Sequence, residues 1–449
     1  MQRRGDGATR AGVDRRSVLV GAAALGASVA WGCTRTEVRK PMARAGFSKE
    51  GLARMHASMA AHVERGDLPG VVTLLGRGDE VHVDAIGMMA SGGTTPMRRD
   101  TLFRIASLTK PVAGVAAMML VEDGKLRLDE PVDRLLPELA HRRVLRRLDG
   151  PVDDTVPANR PILVSDLLTL RMGMGAIMAP GEYPIVRAMT EQGVAVGPWL
   201  PKAPSPDAWI RALGSLPLMH QPGEAWMYDT GITVLGVLIA RASGQPLETF
   251  FRERIFEPLG MKDSGFSVPA EKLERLSTCY MRNPETGKLD VFDAAGRDSQ
   301  FSRPPGFPSA SGGLVSTADD YLAFARMMLN KGEHGGRRLL SERSVELMTT
   351  DHITPEQKAV SPFGPGFWDK RGWGYALSIV HKHEPGEPRG FGWDGGYGTS
   401  CYWDPETGLI GILMTQRLMD SPAAPPAFVD FWRSAYEAIQ AQGLNPAAR

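Results

Sequence analysis

Cysteine is scarce in this chain: 3 in 449 residues, at Cys33, Cys279 and Cys401. So few exclude a disulfide-stapled scaffold. Cys279 and Cys401 lie far apart in sequence, and two arrangements stay open for them, a bridge in an oxidising compartment or two buried free thiols. No Cys/His grouping has zinc-ligand spacing, and His381-x-His383 reads as an alternating surface pair. Net charge is scarce as well. Lys and Arg number 52 against 51 Asp and Glu, a formal charge of +1. That balance leaves no electrostatic footprint for nucleic acid. The basic cluster His141-Arg142-Arg143 with Arg146-Arg147 reads as the solvated face of a helix over 138–148. Internal repeats are absent. What remains is 43% hydrophobic and 23% charged, a globular composition with enough chain for one large domain or two linked ones.

Residues 1–33 read as an export signal. Arg15-Arg16 precede an apolar run, Val18 to Trp31, that is too short to span a membrane as an ordinary helix. The paired arginines suggest the twin-arginine type, and hence a periplasmic protein. Its processing has several readings. Ser28-Val29-Ala30 offers a cut giving a soluble product, Ala30-Trp31-Gly32-Cys33 offers a lipid anchor on Cys33, and an uncleaved signal would leave a membrane anchor. Residues 34–46 read as a linker, 47–440 as the folded body and 441–449 as a tail.

The chemistry centres on Phe103-Arg104-Ile105-Ala106-Ser107-Leu108-Thr109-Lys110-Pro111. Small and apolar residues from Val112 to Val121 continue as a helix, which Gly124 ends. Pro111 is harmless in a first turn, where N–H groups lack helical acceptors. Residues three apart share a helix face, so Lys110 sits beside Ser107. Ser107 then lies at the helix N-terminus, which favours developing negative charge. A buried lysine loses its proton more easily and can accept the proton of a serine.

Elsewhere, Lys49 to Glu64 reads as an amphipathic helix. Gly70–Gly76 and Glu80–Gly87 read as a hairpin turning at Gly78-Asp79. Val164 to Leu170 opens a helix with Ser165 as cap. Residues 173–206 form a long stretch rich in Gly, Pro, Met and Ala, either framing a pocket or a mobile insert. Thr233 to Ser243 is a helix ending at Gly244, and Ser316 or Thr317 caps the helix after it. Tyr375 to His381 reads as a strand. Thr399–Trp403 and Leu409–Thr415 form a hairpin, and Phe428 to Gln440 a closing helix. Strands from both chain ends thus flank a helical middle, giving one sheet built from both termini with the middle, about 125–300, inserted as a second lobe.

Four segments, in this order, resemble the serine β-lactamase and penicillin-binding-protein superfamily. They are Phe-Arg-Ile-Ala-Ser-Leu-Thr-Lys at 103–110, Leu-Asp-Glu-Pro-Val at 128–132, Pro-Gly-Glu-Ala-Trp-Met-Tyr at 222–228 and Ser-Gly-Gly-Leu-Val-Ser-Thr-Ala-Asp-Asp at 311–320. The resemblance is closest to class C enzymes and their carboxylesterase relatives. It implies an α+β fold with an antiparallel sheet flanked by terminal helices, a mainly helical lobe, and the active site between them. It further implies Ser107 as acylated nucleophile, Lys110 as general base and Tyr228 as proton relay. Trp393-Asp394-Gly395 would take the place of the third family motif and line the substrate pocket. The backbone N–H groups of Ser107 and Gly396 would form the oxyanion hole.

Two departures bear on substrate. The second motif is Tyr228-Asp229-Thr230, where lactamases usually have Tyr-x-Asn. The third lacks the cation and hydroxyl that hold a β-lactam carboxylate, a loss of roughly 1.5–3 kcal/mol per charge-assisted hydrogen bond. The departures favour a carboxylesterase acting on small or apolar esters over a β-lactamase or D-amino-acid peptidase. A non-catalytic binding protein of the same fold is the reading from another class. A small-molecule ester or amide is the partner expected, with no nucleic acid, no metal, no organic cofactor, and a monomeric state.

Overall fold

A computed structural model of the chain describes residues 46–197 and 204–440. The export signal over 1–33 with Cys33, the linker up to residue 45 and the tail over 441–449 lie outside these residues.

The elements that frame the molecule are α1 (Lys49–Glu64), β1 (Gly70–Arg77), β2 (Glu80–Gly87), α2 (Thr109–Glu122), α3 (Thr230–Ser243), α4 (Ala318–Leu329), β3 (Arg371–Trp373), β4 (Ser378–Val380), β5 (Gly390–Gly395), β6 (Thr399–Asp404), β7 (Leu409–Thr415) and α5 (Pro426–Gln440). Seven strands form one antiparallel sheet in the order β3-β4-β5-β6-β7-β1-β2. The N-terminal hairpin therefore joins the C-terminal strands, through Val71 opposite Thr415 to Arg77 opposite Leu409.

Strand alternation divides the core. Val71 and Leu75 of β1 and Leu413 of β7 pack on one face against Met55 and Met59 of α1 and Phe431 and Trp432 of α5. Val72, Leu74, Ile412 and Met414 point to the other face and join the cluster that contains α2, α3 and α4. Each such fully buried side chain contributes about 1.5–3 kcal/mol. Helix α2 is apolar on every side and buried from Thr109 to Leu120, as befits a core helix. Its small residues permit close approach: a Cβ on Gly114 would stand 2.9 Å from the Tyr375 carbonyl oxygen.

Three local expectations fail for identifiable reasons. Residues 138–148 are not a helix. They form a single turn at Pro137–Leu139 and a short strand, Arg143–Leu145, paired with Thr155–Pro157. Arg142 is buried rather than solvated, and its guanidinium donates to the carbonyls of Leu213, Gly214 and Leu216. The helix after Ile162 is capped by the Asp166 carboxylate, which accepts from Leu163 N–H, not by Ser165. Tyr375 to His381 is interrupted by a turn with Ala376 at φ 64°, so only Ser378–Val380 is strand. Cys279 and Cys401 are both free and buried, and burial pushes the Cys279 thiol up to about 12.

Candidate active site

From Thr101 to Leu120 every residue is buried except Ser107, which is half exposed. The chain there turns through a short 3-10 segment, Ala106–Leu108, before α2 begins. Ala106 takes φ 43°, an uncommon conformation for a residue with a Cβ. The turn is fixed from three sides. Thr109 Oγ1 donates to the Ala106 carbonyl at 2.6 Å, Ile105 N–H donates to Leu314 at 3.0 Å, and Thr399 Oγ1 of β6 donates to the Ile105 carbonyl at 3.1 Å. Ser107 N–H belongs to the first turn, ahead of any helical acceptor.

Lys110 is fully buried, and its ammonium donates to Ser107 Oγ at 3.0 Å, Asp229 Oδ1 at 2.6 Å and the Ser311 carbonyl at 2.8 Å. Burial alone would push the lysine's pKa down. The Asp229 carboxylate and Tyr228 outweigh burial, and the pKa lies above the ordinary lysine value. Burial, on which the sequence-based expectation of an easily deprotonated lysine rests, is here opposed by the paired carboxylate. Sequence reasoning placed Asp229 only as a departure in the second motif. Its side chain reaches Lys110 because of its backbone: φ 83° and ψ −62°, with Thr230 N–H donating to the Tyr228 carbonyl at 3.3 Å. That is the rarer, strained form of γ-turn. It costs on the order of 1–3 kcal/mol and turns two successive side chains into the site.

Tyr228 lies half-buried beside Lys110, whose Nζ is 4.5 Å from the tyrosine ring centre. The tyrosine hydroxyl donates to Ser107 Oγ at 2.8 Å and accepts from Trp393 Nε1 at 2.7 Å. Ser107, Lys110, Tyr228 and Trp393 thus meet at one point.

The neighbours of Trp393 divide between the faces of β5. Asp394 was expected in the pocket, but adjacent strand residues face opposite ways. Its carboxylate accepts from Ser400 Oγ at 2.6 Å and Tyr402 at 3.3 Å, on the side covered by Trp432 of α5. Gly395 is where the strand passes the nucleophile turn, and a Cβ there would be driven into the Ile105 carbonyl oxygen. Gly398 N–H donates to the Gly395 carbonyl at 2.9 Å. That carbonyl and Gly396 N–H belong to one planar trans peptide and point opposite ways, so the bond turns Gly396 N–H outward from the strand end. Gly396 itself is exposed, with open space where a side chain would be.

Comparison with known proteins supplies the family. Residues 55–428 match the family model described as Beta-lactamase.

The chain belongs to the β-lactamase family.

This β-lactamase-family chain is 42% identical over 375 residues to a protein of Mycobacterium tuberculosis, covering 81% of this chain and 90% of the relative. It is 30% identical over 394 residues to the esterase EstB of Burkholderia gladioli, covering 83% and 92%. Among solved structures it matches EstCE1, described as a hydrolase with promiscuous acyltransferase activity, at a TM-score of 0.70 and 23% identity, over 86% of this chain and 99% of that one. The expected α+β architecture of the superfamily is the fold observed.

In this family member an aromatic wall stands beside Ser107. Phe363 lies 5.2 Å from Tyr228 and 4.9 Å from Phe367, and Trp373 lies 4.8 Å from Trp393, all measured between ring centres. Ser361 Oγ accepts from Trp226 N–H at 2.8 Å, which ties this wall to the second motif. Of the stretch 173–206, Ala176 N–H donates to the Tyr228 carbonyl at 2.9 Å, Pro184–Glu191 is a helix, and 198–203 lie outside the described residues. Among the described residues, the one cation in hydrogen-bond contact with Ser107 is Lys110.

Proposed function

We propose that the chain is a serine hydrolase that cleaves esters with uncharged, apolar groups through an acyl-enzyme on Ser107. The observation that carries this reading is Ser107 Oγ, half exposed in a buried helix start and held by Lys110 Nζ and Tyr228 Oη, with an indole where the family's carboxylate-binding cation usually stands.

Ser107 Oγ attacks the ester carbonyl. The oxyanion forms at the helix N-terminus, against the N–H groups of Ser107 and Gly396. The tetrahedral centre collapses, and the leaving alcohol takes a proton by way of Tyr228. Water, activated at the same hydroxyl, then attacks the acyl-enzyme. The aromatic wall favours an apolar acyl or alcohol group, whereas a carboxylate there would be desolvated with no cation, among the described residues, but the paired Lys110. The esterase EstB, 30% identical over most of both chains, supports the same reaction class.

The test sets a chromogenic short-chain ester beside a chromogenic cephalosporin, with the parent protein and Ser107→Ala. Ester turnover and covalent phosphonate labelling are expected in the parent and absent in Ser107→Ala, with little cephalosporin turnover. Labelling that persists without Ser107 overturns the assignment. Strong cephalosporin turnover would favour a β-lactamase and would mean that another residue holds the carboxylate.

A further inference from the structure

Asp229 has no part in the steps above, yet the backbone is held in a strained turn to place it. Its carboxylate is 2.6 Å from Lys110 Nζ, and its second oxygen accepts from Ser311 Oγ at 3.3 Å. We propose that Asp229 is a positioning residue for acylation: it pins Lys110 as a fixed cation beside Ser107, so that the serine proton leaves through Tyr228 and not through the lysine. This rests on the serine-hydrolase reading and specifies its proton path.

Deprotonation of Lys110 would cost it an ion pair with a partly buried carboxylate. Asp229 is only 18% exposed, and the wall beyond Tyr228 is made of aromatic rings. A neutral Lys110 would leave this carboxylate without a counter-charge in a poorly solvated place. The direction of the lysine's pKa agrees with that. The groups facing Lys110 can be named element by element. The segment before α3 supplies Asp229 and Tyr228, the start of α2 supplies Ser107, and the segment 309–313 supplies the Ser311 carbonyl. Ser309 and Thr233 hydroxyls lie behind Ser311 and carry no charge. Asp394 is on the other face of the sheet.

Tyr228 has the geometry for the transfer. Trp393 Nε1 is a donor only, so it occupies one lone pair of the Tyr228 oxygen and leaves the hydroxyl free to turn between Ser107 and a substrate. In acylation Ser107 Oγ bonds to the carbonyl carbon and its proton passes to the Tyr228 oxygen. In the same concerted relay Tyr228 gives its own hydroxyl proton to the ester oxygen that becomes the leaving alcohol, so the phenol is never doubly protonated and is neutral before and after. Lys110 holds the same three hydrogens before and after, and its charge steadies the serine oxygen throughout.

Pre-steady-state acylation by a chromogenic ester, measured against pH in the parent and in Asp229→Asn, tests this. The variant removes the countercharge, so burial is left to lower the lysine's pKa. The proposal expects slower acylation, a loss in kcat with KM unchanged, and a rate that falls about tenfold per pH unit above the lowered pKa. Faster acylation that rises with pH is what a released lysine base would give, and it overturns the proposal. So does a profile identical to the parent's. A measurement on the parent alone keeps the test open should Asp229→Asn not fold. With 13Cε-lysine labelling, the Lys110 resonance, assigned through Lys110→Arg, is expected to stay that of the charged form through the neutral and mildly alkaline range. Titration near neutrality overturns the proposal. Ser107→Ala separates the two failures. If Ser107→Ala keeps turnover, the serine-hydrolase reading fails. If it is inactive while Asp229→Asn is faster, only the role of Asp229 fails.

Discussion

Replacing Trp393 by Phe isolates one hydrogen bond in the site. The indole N–H donates to Tyr228 Oη at 2.7 Å, and Phe keeps an aromatic ring against Trp373, 4.8 Å away. What disappears is the donor that occupies one lone pair of the Tyr228 oxygen and holds that oxygen in place beside Ser107. A neutral hydrogen bond is worth about 0.5–1.5 kcal/mol net, which is roughly a 2- to 12-fold change in rate. Ester kcat is therefore expected to fall within that range in Trp393→Phe. Trp393 is 5% exposed, so the smaller ring also leaves a void, and thermal unfolding must be followed in parallel. The assay is steady-state ester hydrolysis below the unfolding transition, with active-site titration by a phosphonate to count competent Ser107. An unchanged kcat per titrated site would mean that the indole N–H does not orient Tyr228. A loss of more than about a hundredfold would mean that Trp393 bears on the chemistry beyond one neutral hydrogen bond. Either result excludes a single neutral hydrogen bond as the contribution of Trp393.

Two further substitutions probe the scaffold. Gly395→Ala forces a methyl group into the Ile105 carbonyl, which must move; an overpacking cost of about 1–3 kcal/mol and a loss of phosphonate labelling rate are expected, read by denaturant unfolding and labelling kinetics. Arg104, two residues from the start of the Ala106–Leu108 turn, is 1% exposed and pairs with Asp293, itself 7% exposed; Arg104→Leu strands that carboxylate and is expected to cost about 3–5 kcal/mol in a urea titration.

Much of the scaffold is legible in the sequence, where local pattern and tertiary need coincide. Lys49–Glu64 has one apolar face, a Ser48 cap and no proline, and forms that helix. The two terminal hairpins are legible because short runs rich in apolar and β-branched residues stop at Gly78-Asp79 and at Asp404 to Gly408. Residues 138–148 mislead because their arginines look solvated, and only the fold reveals that Arg142 satisfies carbonyls some 70 residues away. The position of Asp394 was available in principle, since neighbours on a strand cannot both face the pocket. The role of Asp229 was not. Nothing in Tyr228-Asp229-Thr230 signals a positive φ at a residue with a side chain, and without that conformation the carboxylate does not reach Lys110.

The charges left at the site bear on which substrates it admits. Lys110 lies against Ser107, but its charge is matched by Asp229 at 2.6 Å, so the pair presents no net charge to an incoming molecule. The third motif contributes an indole, and Asp394 beside it is turned to the far face of the sheet. Around the exposed edge of Ser107 stand Tyr228, Phe363 and Trp393. A carboxylate-bearing substrate would lose hydration on entry and, among the described residues, meet no cation at Ser107 other than the paired Lys110, whereas an uncharged ester loses little and buries apolar surface. Introducing Lys at position 393 would not by itself restore the missing anchor. It would remove the donor to Tyr228 and bury a second ammonium near Lys110, where like charges repel. On the proposed reading, a preference for uncharged esters would follow from the paired lysine and the indole together, and a change of either alone would disturb the proposed proton path before it changed the substrate.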